Sequence, residues 1–223
     1  MLKLYEMHHS PYCIPIAQML RSAGVQYESI AVPNWDRTQI IELTDGAYYQ
    51  VPVLAHDGQL VFEDTDTSLK VARYVDTQFC QSRLFPPGIS GIHEVLIRHF
   101  EDELEGLSFK LCDIHYLPRI TNLANRVHSI RHKERKFGRG CLERWKSDEA
   151  NLRSQFFALL APFESTLTAQ LFLFGAEPVY ADFALSGVLG NYSFCPENQF
   201  GPEKYWLRSW MQRVECFKLI QGS

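Results

Sequence analysis

The turn Ser10-Pro11-Tyr12-Cys13 brings a hydroxyl, a phenol and a thiol together within four residues. It stands between a strand-like run and an amphipathic helical one. At a helix start the free backbone N–H groups and the positive end of the helix dipole favour an anion, and a thiolate is such an anion. The spacing is that of a Cys-Pro-Tyr-Cys redox turn whose first, nucleophilic cysteine is replaced by serine, so a dithiol cannot form within it. Ser10 can instead donate its hydroxyl to a bound thiol and favour the ionised sulfur. Helix capping by Ser10 is the alternative that the spacing leaves open. Cys13 is expected to face the protein interior, with a reactive thiol as its alternative. His8 and His9 flank the turn, where either could assist proton transfer near neutral pH; structural roles are expected of both.

Three further constellations carry chemistry. Val51-Pro52 precedes a hairpin signal, and a cis bond there would aim the Val51 N–H and C=O outward to pair with an extended peptide; a trans proline opening an edge strand is the alternative. Asp66-Thr67-Ser68 stands at a helix start, where hydroxyls and free N–H groups could hold a ligand carboxylate while an acid meets an ammonium. Glu63 and Asp64 add further acid beside it. Between Arg126 and Arg139 lies a basic cluster that includes His128, Arg131, His132, Lys133, Arg135 and Lys136; it could attract an anionic co-substrate or a partner, and a solvated helix-to-helix connection is the expected reading. Tyr49, Phe109, Tyr116 and Trp145 are candidate walls of an apolar cleft.

The elements that must position these groups follow from periodicity. Leu2 to Met7 reads as a strand, and Ile16, Met19, Leu20 and Ala23 recur at helical spacing before Gly24. Tyr27 to Val32 reads as a second strand, Asp36 as the cap of a short helix through Leu43, and Asp57-Gly58 as a tight hairpin turn. A closing helix carries Leu69, Val71, Ala72 and Val75. The order β-α-β-α-β-β-α is complete by Phe79, and Gln81 to Gly88, with its Pro-Pro pair, has the composition of a linker.

Beyond the linker, Ile92, Leu96, Phe100, Leu104, Leu107, Leu111 and Ile114 form one long helical face. Further stripes run through Trp145 to Phe163, Phe183 to Leu189 and Trp206 to Phe217. The expected division is an α/β domain over 1–79, a linker over 80–90 and an all-α domain over 91–223. Composition is ordinary for a globular protein, with 46% hydrophobic residues and a net charge of −4. That charge argues against nucleic-acid or anionic-membrane partners, and no apolar run reaches the length of a membrane span. The six cysteines form no Cys-X-X-Cys pair, and no metal-ligand spacing or Gly-rich phosphate loop appears. A cytoplasmic protein with reduced thiols and no metal is expected.

In this order and followed by a helical domain, the three sites resemble those of the soluble glutathione transferases. Ser10-Pro11-Tyr12-Cys13 resembles the turn of their serine-type classes, Val51-Pro52-Val53-Leu54 their cis-proline segment, and Thr67 to Val75 their helix start for the γ-glutamyl group. Phe172 to Gly175 and Tyr180 to Ala184 resemble the segment around a structural aspartate, here Asp182. The resemblance implies a thioredoxin-like α/β domain joined to an all-α helical bundle. It also implies glutathione as co-substrate, bound by Ser10, Tyr12, Gln50, Val51, Pro52, Asp66, Thr67 and Ser68, with Ser10 catalytic and Cys13 and His9 secondary. A small electrophile as second substrate and a homodimer are implied in the same way. The alternatives are a non-catalytic binding protein of this architecture and a Cys13-dependent thiol-disulfide enzyme. Thr67 stands where the family has Glu, so Asp66 or Glu63 is expected to supply the acid. Val179 stands where a hydroxyl cap is expected, at a cost of about 1 kcal/mol of helix stability.

Overall fold

The computed structural model describes residues 1–64 and 69–219. Strands β1 (Lys3–Glu6), β2 (Glu28–Ala31), β3 (Val53–His56) and β4 (Gln59–Val61) make one sheet in the order β2-β1-β3-β4. β1 runs parallel to β2 and antiparallel to β3, and β3 pairs antiparallel with β4. The β3–β4 turn holds Asp57 and Gly58 at φ 47° and 84°, the positive values that a two-residue hairpin requires and that Asp-Gly supplies at low cost. Helices α1 (Cys13–Ser22), α2 (Thr38–Leu43) and α3 (Lys70–Phe79) complete the module. Arg37 rather than Asp36 stands at the α2 cap position, and Asp36, one residue earlier, accepts the Thr38 N–H at 2.9 Å. The α/β and helical parts, with the predicted element order, therefore match the expected architecture.

The helical part contains α4 (Ser90–His99), α5 (Glu105–Tyr116), α6 (Leu123–Phe137), α7 (Cys141–Ser147), α8 (Glu149–Leu167), α9 (Tyr180–Tyr192) and α10 (Tyr205–Cys216). The long face read from Ile92 to Ile114 spans α4 and α5, joined through a wide π-helical turn over Phe100–Leu104. One correction concerns the basic cluster. It is no solvated connection but the body of α6, a helix of 15 residues capped by Asn122, whose side chain accepts the Asn125 N–H at 3.0 Å. Its sequence is too polar to show an apolar stripe, and that absence concealed the helix.

One continuous apolar core runs from Leu4 and Met19 of the α/β part through Phe100 and Phe156 to Trp210. Helix α9 lies at its centre against α1, and the approach is close because Gly187 carries no side chain. A Cβ there would sit 2.3 Å from the Pro11 carbonyl oxygen and 2.7 Å from Pro15 Cγ. A Gly187→Ala substitution is expected to cost about 3 kcal/mol by overpacking, read as a lowered urea midpoint.

The α9 start is secured from a distance. Asp182 accepts the N–H groups of Leu173 at 2.9 Å and Val179 at 3.0 Å, and the Trp210 indole N–H at 2.9 Å. The Ala181 N–H donates to Nε2 of His93 on α4 at 2.9 Å. The missing hydroxyl cap at Val179 is thus compensated by a histidine from another helix, which removes the expected penalty. Burial pushes His93 down to about 4, so its ring is a neutral acceptor at neutral pH. The unfolded chain binds this proton near pH 6.5 and the folded chain only near 4, so stability is lost as pH falls through that window. Asp182, pushed up to about 6 by burial, works in the opposite sense over the lower part of it. Comparison with His93→Gln, which keeps an acceptor, isolates the histidine: between about pH 7 and pH 4 the wild type should lose about 2 kcal/mol relative to the variant in urea unfolding.

Candidate functional site

The Ser10 turn is built by its own backbone. The Ser10 N–H donates to the Met7 carbonyl at 2.8 Å, and the Ser10 carbonyl accepts from Cys13 and Ile14 at 3.1 Å each. Ser10 Oγ accepts the Tyr12 N–H at 3.2 Å. That contact uses a lone pair; the hydroxyl proton can go to the Cys13 sulfur, which lies within reach, or to a ligand. Ser10 is only 3% exposed, yet it lines a cavity of about 870 Å³ between the sheet module and the helices. Helix α9 holds the turn in place: the Asn191 amide donates to the His9 carbonyl at 2.7 Å, while Asn191 Oδ1 accepts the Ser108 hydroxyl at 2.7 Å.

Cys13 points the other way, into the apolar cluster with Tyr5, Val32 and Val53, and is fully buried. Burial pushes its thiol up to about 12, ahead of the opposing help from the Met7 backbone and the Ser10 side chain. It is protonated at neutral pH, which is poor for a nucleophile. The His9 ring is wedged between Tyr116, with centroids 4.4 Å apart, and Phe194, at 4.9 Å. Burial first, and then Lys133 and Arg37, push it down to about 4. His8 bonds Ser29 Oγ at 3.2 Å on the exposed side of the sheet.

The Val51–Pro52 peptide is cis. Gln50 and Val51 line the large cavity and also a second one of about 630 Å³, which continues past Pro52 to Glu63, Glu101 and Tyr180. Tyr12 borders both cavities. Burial, and then the acids of Glu105 and Glu101, push its phenol upward, so it is a hydrogen-bond donor rather than a phenolate. The two cavities adjoin across the shared wall of Tyr12, Tyr49, Gln50 and Val51, with Ser10 lining one and the start of α3 beside the other. Asp66, Thr67 and Ser68 lie outside the described residues.

Glu63 has a definite place. Its carboxylate accepts the Lys70 N–H at 2.8 Å and the Val71 N–H at 3.0 Å, taking the free donors of α3 as a ligand carboxylate would. Burial raises its pKa in spite of those bonds. Together with Glu101 it makes this end of the site acidic and suited to an ammonium group.

At the opposite end the sequence reading notes the basic cluster but misses Arg37 and the cavity that the two share. Arg37, from the residue before α2, bonds Met7 Sδ at 3.3 Å through one nitrogen, and its Nη1 is buried with no hydrogen-bond partner among the described residues. Across the cavity stand His128, His132, Lys133, Arg135 and Lys136 of α6. Their spacing of i, i+4, i+5, i+7 and i+8 was the signal that could have placed them on one face. Of the proposed apolar walls, Tyr49 and Phe109 line the cavity, whereas Trp145 packs behind Phe109 at 5.8 Å and Tyr116 is covered by His9. Among the described residues, no group of His, Cys, Asp or Glu is placed to hold a metal ion, and no helix is long and apolar enough to cross a membrane.

Residues 4–83 match the sequence model of the glutathione S-transferase N-terminal domain. No curated protein matches the chain. Among solved structures, a glutathione S-transferase of Ceriporiopsis subvermispora in complex with glutathione is similar over 100% of this chain and 99% of its own, with a TM-score of 0.77 and 17% identity. Glutaredoxin 2 of Salmonella typhimurium, also in complex with glutathione, gives 0.73 over 99% and 97% at 19% identity. A glutathione transferase of Phanerochaete chrysosporium gives 0.77 over 99% and 98% at 15% identity. These likenesses concern the fold.

Proposed function

We propose that this chain, whose residues 4–83 match the glutathione S-transferase N-terminal domain, is a member of that superfamily that binds glutathione, holds its sulfur as thiolate and conjugates it to a small electrophile. The observation that carries this reading is the pair of cavities sharing the Gln50-Val51 wall, with Ser10 lining one and the cis Val51–Pro52 segment bordering the other. In this arrangement the tripeptide lies extended along Gln50-Val51 with its ammonium toward Glu63 and Glu101 and its sulfur beside Ser10. Donation from the Ser10 hydroxyl stabilises the thiolate, and the thiol proton leaves to solvent. The sulfur lone pair then forms a bond to the electrophilic carbon as the leaving group departs with its electron pair. His9 and Tyr12 supply no general base, one held between rings as a weakly basic imidazole and the other held protonated. A cytoplasmic homodimer, with no nucleic-acid or membrane partner, belongs to the same proposal.

Isothermal titration with glutathione, paired with a panel of aryl halides, benzyl halides and isothiocyanates, tests it. Binding together with turnover of at least one electrophile is the expected result. Binding with no turnover of any would favour a non-catalytic protein of this fold. Activity lost in Cys13→Ser and kept in Ser10→Ala would favour thiol-disulfide chemistry, against which the depth and raised pKa of Cys13 already argue.

A further inference from the structure

Two cysteines 83 residues apart in the chain meet in the helical part. Cys112 sits on the buried side of α5, and Cys195 follows the end of α9. Their thiols are hydrogen-bonded to each other, and Cys195 Sγ lies 3.7 Å from the Cys112 carbonyl oxygen. The segment that carries Cys195 is fastened to α5 beyond this contact. The Asn198 amide donates to the Leu111 carbonyl at 2.8 Å, and Glu197 pairs with Arg119 just past the helix end. Sulfurs held in this way have only to close to a bond length of about 2.0 Å. Among the described residues no group of His, Cys, Asp or Glu is placed to hold a metal ion, so the pair lacks the ligand set of a thiolate metal site.

The two thiols are unequal. Cys195 accepts the hydrogen bond from Cys112 and then meets the Arg119 guanidinium, and both lower its pKa. Cys112 is pushed up, first by donating that hydrogen bond and then by burial. Cys195 is therefore the readier thiolate, with a protonated thiol beside it. A thiolate with a second thiol in contact ends its oxidation in a disulfide. Exposure of 2% at Cys195 and 0% at Cys112 favours a small oxidant over a bulky disulfide.

We propose that Cys112 and Cys195 are a peroxide-sensitive disulfide pair, in which Cys195 attacks the oxidant and Cys112 resolves. The Cys195 thiolate attacks one oxygen of hydrogen peroxide, the O–O bond breaks, and hydroxide leaves and takes up a proton as water. The Cys112 sulfur then attacks the resulting sulfenic acid. Its own proton goes with the departing oxygen as a second water, and the S–S bond forms. Two thiols lose two electrons and one peroxide gains them. The bond forms beside the Ser10 turn. Phe194, adjacent to Cys195, and Tyr116, one helical turn past Cys112, hold the His9 ring between them at 4.9 Å and 4.4 Å. The pairing stands on these contacts alone and is independent of the conjugating role.

The test uses the whole chain with Cys216→Ser, which removes the exposed thiol. After a small excess of hydrogen peroxide, the protein is alkylated in denaturant and mapped by mass spectrometry. A peptide linking Cys112 to Cys195 is expected, lost on treatment with dithiothreitol, with Cys13, Cys80 and Cys141 still alkylated. In Cys112→Ala, dimedone should trap the sulfenic acid on Cys195; in Cys195→Ala, labelling of Cys112 should be about tenfold slower. Both thiols left alkylatable, or Cys195 carried to sulfinic acid without a link, would overturn the pair. Equal dimedone labelling in the two variants would overturn the assignment of attacker and resolver. The mapping leaves both paired cysteines in place, so it decides the proposal even where an alanine variant does not fold.

Discussion

Ser10→Ala lowers kcat/KM for glutathione conjugation by about ten- to a hundredfold, the loss expected when a hydroxyl that depresses a thiol pKa by one to two units is removed. The diagnostic readout is the pH profile. With the hydroxyl present, the ionisation governing kcat/KM lies below that of free glutathione; without it, the profile moves up by about one to two units toward the free thiol. Ser10→Thr, which keeps an oxygen at the same position, should restore most of the shift. The structural alternative has a different signature. Loss of the contact to the Tyr12 N–H alone would cost about 1 kcal/mol of stability and leave the pH profile where it was. An unmoved profile would therefore remove Ser10 from the chemistry and leave it as a cap.

Asp182→Ala lowers the unfolding free energy by about 4 kcal/mol in urea titrations, because it strands three N–H donors inside the core: those of Leu173, Val179 and the Trp210 indole. Asp182 is 0% exposed, so water cannot take its place at the original cost. Asp182→Asn should lose about half as much, since its carbonyl oxygen still serves one side while its amide hydrogens face a donor on the other. The damage should spread to the site, because α9 carries both Gly187, against the Pro11 carbonyl, and Asn191, on the His9 carbonyl. A cost under about 1 kcal/mol would mean that the strand-like turn over Phe172 to Gly175 and the α9 start hold each other without this carboxylate.

The α/β half was legible because its signals are local. Gly24 stands at φ 69° after α1, and Asp57-Gly58 supplies both positive angles of its hairpin; each requirement is met by the residue's own backbone freedom. Cys13 facing the interior and Ser10 at the helix mouth follow from the same short-range logic. The α6 helix escaped notice for the converse reason. Its residues are polar or charged around most of its surface, and it needs no broad apolar stripe because one side of it borders the large cavity.

The site divides along the same line. Sequence by itself determined the Ser10-Pro11-Tyr12-Cys13 turn, the proline segment and the order of elements around the sheet, since these depend on neighbours within a turn or a hairpin. Tertiary structure alone decided that Glu63 would occupy the α3 start, that His93 would cap α9 from 88 residues away, and that Arg37 would face the cations of α6 across one cavity. The physical reason is range. Dihedral preferences and helical periodicity act over a few residues, whereas burial, desolvation and the pairing of charge depend on which distant surfaces the core draws together.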